Sequence, residues 1–148
     1  MPQRLLLTDC RLFHAADDGE TVSILVEDGV ITKLGRFDPP PDCEAKIDAQ
    51  GRIAAPGLID VHIQGAGGAD VLDAKVEALR TISKTCARFG TTGFLATTVF
   101  RPDGDNRHLG LAAECVGRDL GGAGLLGIHL EGPFISPDRR GMILPDCV

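Results

Sequence analysis

The chain has no Trp and no Tyr, no run of basic residues, no C-x-x-C pair and no apolar stretch near the roughly 20 residues that span a bilayer. Each absence removes a class. A net charge of −6 without a basic run argues against a nucleic-acid surface. The opening Met-Pro-Gln-Arg-Leu-Leu-Leu has one basic residue and an apolar run far too short for a signal peptide, so a cytoplasmic location away from membranes is the expectation. Cys10, Cys43, Cys86, Cys115 and Cys147 are odd in number and widely scattered, which suggests neither a zinc knuckle nor a disulfide framework. Buried free thiols in a reducing compartment are expected instead. What is present, 43% hydrophobic and 24% charged residues in a chain of 148, is a globular composition long enough for one core.

The first 55 residues read as a small all-β unit. Arg4 to Phe13 predicts a strand with a kink at Thr8-Asp9. Val22 to Glu27 and Val30 to Leu34 flank Asp28-Gly29, a strong short-range hairpin signal. Short strands are expected at Ala45 to Ala49 and Arg52 to Ala55, and the unit is too short to close a sandwich by itself.

From residue 56 the pattern becomes β-α-β-α-β, that of parallel strands with helices outside. Leu58 to Gln64 predicts a strand with Asp60, His62 and Gln64 on one face. A glycine-rich loop over Gly65 to Gly68 follows, without the Walker spacing of a phosphate loop. A helix over about Ala74 to Phe89 is expected with Asp73 as its cap and Gly90 as its end. A strand over Gly93 to Val99 and a helix over about Asn106 to Leu120 come next. The last strand, Leu125 to Leu130, should place Leu126, Ile128 and Leu130 on one face and Gly127, His129 and Glu131 on the other. Gly132-Pro133 stops it.

Two strand ends thus carry imidazole, amide and carboxylate groups: His62 and Gln64 on one, His129 and Glu131 on the other. Imidazole nitrogen and carboxylate oxygen are common ligands of zinc and iron. Gln64 is a weaker neutral ligand, suited also to orienting water or hydrogen-bonding substrate. His14 and His108 read as solvated.

The run from Pro56 to Asp70, including Asp60-Val61-His62-Ile63-Gln64-Gly65, resembles the first metal-site strand of the amidohydrolase superfamily. It is similar in particular to the N-acetylglucosamine-6-phosphate deacetylase family. Phe89-Gly90-Thr91-Thr92-Gly93 resembles that family's second strand, and Gly127-Ile128-His129-Leu130-Glu131-Gly132-Pro133 its most distinctive motif. The resemblance implies an α/β fold: the first three β/α units of a metal-dependent TIM-like barrel over 56–148, preceded by part of a small β-sandwich over 1–55. It implies metal-dependent hydrolysis of the N-acetyl group of an amino-sugar phosphate, N-acetylglucosamine 6-phosphate, to glucosamine 6-phosphate and acetate.

By the same resemblance Glu131 is a metal ligand, joined by His62 and Gln64 as candidates. Gln64 stands where a second histidine of a His-x-His pair would be, which favours one ion, zinc or iron. His129 is expected to orient Glu131. Met142 is expected to meet substrate through its main chain, while Ile143 occupies the place of a substrate-contacting histidine. The general acid-base aspartate and two further histidine ligands are expected beyond Val148, and the full-length protein is expected to be a homodimer. A barrel of this kind takes about 250 residues, so these 148 alone are expected to be inactive. Two alternatives stand beside this reading: another amidohydrolase, acting on cyclic amides or as a deaminase, and a non-catalytic truncated relative serving as an interaction module.

Overall fold

The computed structural model describes residues 3–13 and 19–148. His14 lies outside them. The chain divides into two compact units, Met1–Pro56 and Gly57–Val148.

In the first unit, β1 (Arg4–Leu12), β2 (Val22–Glu27), β3 (Val30–Gly35), β4 (Ala45–Asp48) and β5 (Ile53–Ala54) form a single sheet. Its order is β3-β2-β1-β4, with β5 also on β1. The β2–β3 pair is an antiparallel hairpin, and Asp28 and Gly29 both take positive φ (50° and 81°), as a two-residue primed turn requires. The expected kink in β1 is a bulge. Leu7 faces Ile24 and Cys10 faces Val22, and Asp9 sits at φ 53°. Leu6, Cys10 and Leu25 are buried. β4 and β5 run parallel to β1, and between them Ala49 N–H and Gly51 N–H donate to Thr8 O and Asp9 O of β1.

The second unit is mixed α/β. β6 (Leu58–Ile63), β9 (Thr91–Thr98) and β10 (Gly124–Leu130) form a parallel sheet in the order β10-β9-β6. Between β6 and β9 come β7 (Gly65–Ala66), β8 (Ala69–Asp70), a 3-10 turn (Val71–Asp73) and α1 (Val76–Arg88). α2 (Arg107–Cys115) links β9 to β10. Leu79, Ile82 and Cys86 recur at helical spacing along α1 and are buried against Phe94, Ala96, Ala112 and Leu125. Burying each of the larger of these side chains contributes about 1.5–3 kcal/mol.

Several expectations change in detail. Asp73 does not cap α1. It accepts from the backbone N–H of Asp70 while the Asp70 carboxylate accepts from Leu72, a reciprocal box that closes the 3-10 turn; Lys75 holds the N-cap position of α1. The Gly65 to Gly68 loop is a tight hairpin, with Gly67 and Gly68 at φ 64° and 83° in its turn. α2 is shorter than its apolar pattern, ending at Cys115, and Gly117 follows at φ 73°.

The largest differences are two bulges. On β10, Leu125 pairs with Phe94 but Gly127 with Leu95, so Leu126 is an extra residue. Leu125 and Ile128 therefore both pack on the core, while Leu126 is exposed. The simple alternation read from the sequence holds only after Leu126. On β6, Asp60 pairs with Phe94 and Ile63 with Ala96, so one extra residue sits within Val61-His62.

Candidate active site

The β6 bulge decides which side chains meet. Phe94 and Ala96 are two apart and both fully buried on the helix-covered face of β9. Their partners Asp60 and Ile63 share that side, and Ile63 packs on the core. His62 and Gln64 thereby fall on the opposite face, so the expectation that Asp60, His62 and Gln64 share one face is corrected. Asp60 instead accepts a hydrogen bond from the backbone N–H of His62 through Oδ1 (3.0 Å).

On β10, Ile128 faces the core, so His129 and Glu131 point the other way, toward the same open face. There Gln64 Nε2 donates to Glu131 Oε2 at 2.6 Å. His62 Nε2 lies 3.9 Å from the same oxygen. The backbone N–H of Glu131 donates to Thr98 O (2.9 Å), which carries the sheet one residue past the end of β10. The two strand ends, 67 residues apart in sequence, thus bring His62, Gln64 and Glu131 together.

His129 makes different contacts from those expected. Its Nδ1–H donates to Val61 O at 3.0 Å, and its ring meets that of His62 edge-on, with centroids 5.1 Å apart and planes at 83°. Met142 has an almost fully exposed side chain, and it lines an open groove together with His62, Glu131, Arg139 and Arg140. Ile143 is buried, its carbonyl accepting from Arg140 Nη1. A smaller cavity of about 160 Å³ is also lined by Gln64 and Glu131, together with Asp70, Thr98, Arg101 and Cys147.

Sequence reasoning missed Thr98, whose buried Oγ1 has no hydrogen-bond partner among the described residues. It also missed Asp60 as a bulge partner, although an Asp two residues before His62 is an Asx-type signal. His108 is corrected outright. It is buried, with Nε2 3.0 Å from Val99 O, because the first turn of α2 packs onto the chain leaving β9.

Ligand atoms about 2.0–2.2 Å from one tetrahedral zinc ion lie roughly 3.3–3.6 Å apart. The 3.9 Å between His62 Nε2 and Glu131 Oε2 is wider than that by a few tenths of an ångström, a gap that a side-chain rotation closes. Among the described residues no three His, Cys, Asp or Glu side chains converge. Burial raises the Cys147 thiol above its ordinary value, with the Asp146 carboxylate adding to the effect, so it offers no ready thiolate.

No family model matches the chain. Over 95% of its length it is 36% identical to the N-acetylglucosamine-6-phosphate deacetylase of Bacillus subtilis, and over 88% it is 35% identical to that of Vibrio furnissii. The crystal structure of N-acetylglucosamine-6-phosphate deacetylase from Pasteurella multocida superposes with a TM-score of 0.80 at 25% identity, covering 97% of this chain. The chain is homologous to N-acetylglucosamine-6-phosphate deacetylases. It spans 37% and 33% of the two curated relatives and 38% of the solved one, about a third of their length.

Proposed function

We propose that this chain supplies part of a metal-dependent active site that hydrolyses the N-acetyl group of N-acetylglucosamine 6-phosphate, giving glucosamine 6-phosphate and acetate. The observation that carries the reading is the convergence of Glu131, His62 and Gln64 at two parallel strand ends, in a chain whose similarity to the deacetylases covers nearly all of its length. Functional groups at the C-terminal ends of parallel strands are the rule in barrels of this type, and three β/α units of such a barrel fit 56–148. The preceding sheet fits part of a small sandwich.

Glu131 and His62 are the residues that would hold a divalent ion, zinc or iron. The chemistry such an ion supplies is Lewis-acid polarisation of the amide and a lowered pKa of water. The chain's own residues prepare that site. Gln64 fixes the Glu131 carboxylate by donating to Oε2, and an amide turned over would present its oxygen instead. Glu131 brings the negative charge that favours a cation there. Arg139 and Arg140 place two positive charges on the wall of the groove beside His62 and Glu131, suited to a phosphorylated sugar. Met142 offers main-chain groups in the same groove. Further ligands and a general acid-base come from outside these 148 residues, and a homodimer in the cytoplasm is the assembly and place we propose.

The test is a substrate panel on the protein that carries this chain at its full natural length. Acetate release from N-acetylglucosamine 6-phosphate should exceed release from the unphosphorylated sugar, and ring-opening of cyclic amides should be absent. Ring-opening without deacetylation would overturn the assignment.

A further inference from the structure

We infer that His129 and Asp60 are positioning residues that together hold the β6 bulge, and with it His62 and Gln64, on the face of Glu131. Val61 and His62 together stand opposite the single residue Leu95 of β9, because the register passes from Asp60–Phe94 to Ile63–Ala96. A bulge leaves ladder groups to be satisfied elsewhere. Here side chains do it. The Asp60 carboxylate accepts from His62 N–H (3.0 Å), and His129 Nδ1–H donates to Val61 O (3.0 Å).

The two bonds differ in reach. Asp60 acts locally, two residues away, and shapes the bulge itself. His129 acts from 68 residues away, on β10, the strand that leads into Glu131. It spans the sheet above β9 and ties the bulge to the strand that positions the carboxylate. Its ring also meets the His62 imidazole edge-on at 5.1 Å, so backbone and ring of His62 are both constrained.

The consequence follows from strand periodicity. Without the extra residue, His62 and Gln64 would stay in step with Asp60 on the side of Phe94, which is fully buried. Gln64 could not then reach Glu131 Oε2, and the His62–Glu131 pair would be lost. The effect of this geometry on metal affinity rests on the metal-site reading above; the bulge itself does not.

Two variants of the full natural protein separate the bond from the ring. His129→Phe keeps a ring against His62 but has no donor. His129→Asn keeps an N–H near the place of Nδ1 but has no ring. Crystal structures of both give the β6 register and the His62–Glu131 separation, and cobalt(II) titration followed by its absorption bands gives affinity. The expected result is that His129→Phe loses the bulge or moves His62 away from Glu131, with cobalt binding weakened about 10- to 100-fold. His129→Asn should keep the register and stay within a few-fold of the unaltered protein. A bulge intact in His129→Phe, or lost in His129→Asn, overturns the inference. If the bulge responds as expected and the unaltered protein binds no cobalt, the positioning role stands and the metal reading falls.

Discussion

Gly122 lies where the chain entering β10 meets the backbone of α1. A Cβ built there would lie 2.5 Å from Ser83 O, 2.7 Å from Ser83 C and 2.8 Å from Lys84 Cα. All three are backbone atoms, so no side-chain rotation relieves them, and Gly122→Ala must push strand and helix apart by several tenths of an ångström. The next residue holds the same junction. Ala123 N–H donates to Ser83 O (3.0 Å), and the buried Ser83 hydroxyl donates to Ala123 O (2.7 Å). Overpacking costs about 1–3 kcal/mol, and each hydrogen bond stretched out of range adds about 0.5–1.5 kcal/mol. The expected destabilisation is about 2–4 kcal/mol. In urea unfolding followed by far-ultraviolet circular dichroism, a slope of about 2 kcal/mol/M turns this into a midpoint roughly 1–2 M lower. Ser83→Ala, which removes only the hydroxyl bond, should cost about 1 kcal/mol. A Gly122→Ala midpoint within about 0.3 M of the unaltered chain would refute the close-approach argument.

Two smaller predictions concern titration and thiols. The Glu27 carboxyl is held below its ordinary value of 4.5, first by the hydrogen bond from the Thr32 hydroxyl and then by Arg4. A depressed folded value means its stabilisation is present above about pH 4.5 and is lost as pH falls through the folded value. Thr32→Val should move the Glu27 titration, read by carboxyl carbon chemical shifts, back toward 4.5; no movement would contradict the assignment. Among the cysteines, Cys43 is the one not buried, while burial raises the thiols of Cys10, Cys86 and Cys147. Iodoacetamide under native conditions should label Cys43 first, and mass spectrometry finding Cys86 first would refute this packing.

Local signals in the sequence were legible where the deciding chemistry is local. Asp28-Gly29 requires nothing but two positive φ angles, and the apolar face of α1 follows from helical spacing alone. The site was legible in part: Glu131, His62 and Gln64 stand out as polar groups at strand ends, and they do converge. The reason they converge was not legible. Asp60-Val61-His62-Ile63-Gln64 alternates without a flaw, and its one local hint of a bulge is the Asx-type signal of Asp60. The bond from His129 that accompanies it crosses 68 residues. Leu126 is a similar case, because which of two adjacent leucines is extra depends on register with β9. Asp73 and His108 were misplaced for a related reason: each has a partner on a turn or loop whose path depends on packing.

The central claim is that Glu131 anchors a hydrolytic metal site, and the most direct measurement compares the full natural protein with its Glu131→Gln variant. Acetate released from N-acetylglucosamine 6-phosphate and bound metal by elemental analysis are read on the same samples. Glutamine keeps the shape and removes the charge. Metal content and acetate release are both expected to fall together, with the fold unchanged by circular dichroism. Deacetylation that persists at the unaltered rate in Glu131→Gln would contradict it.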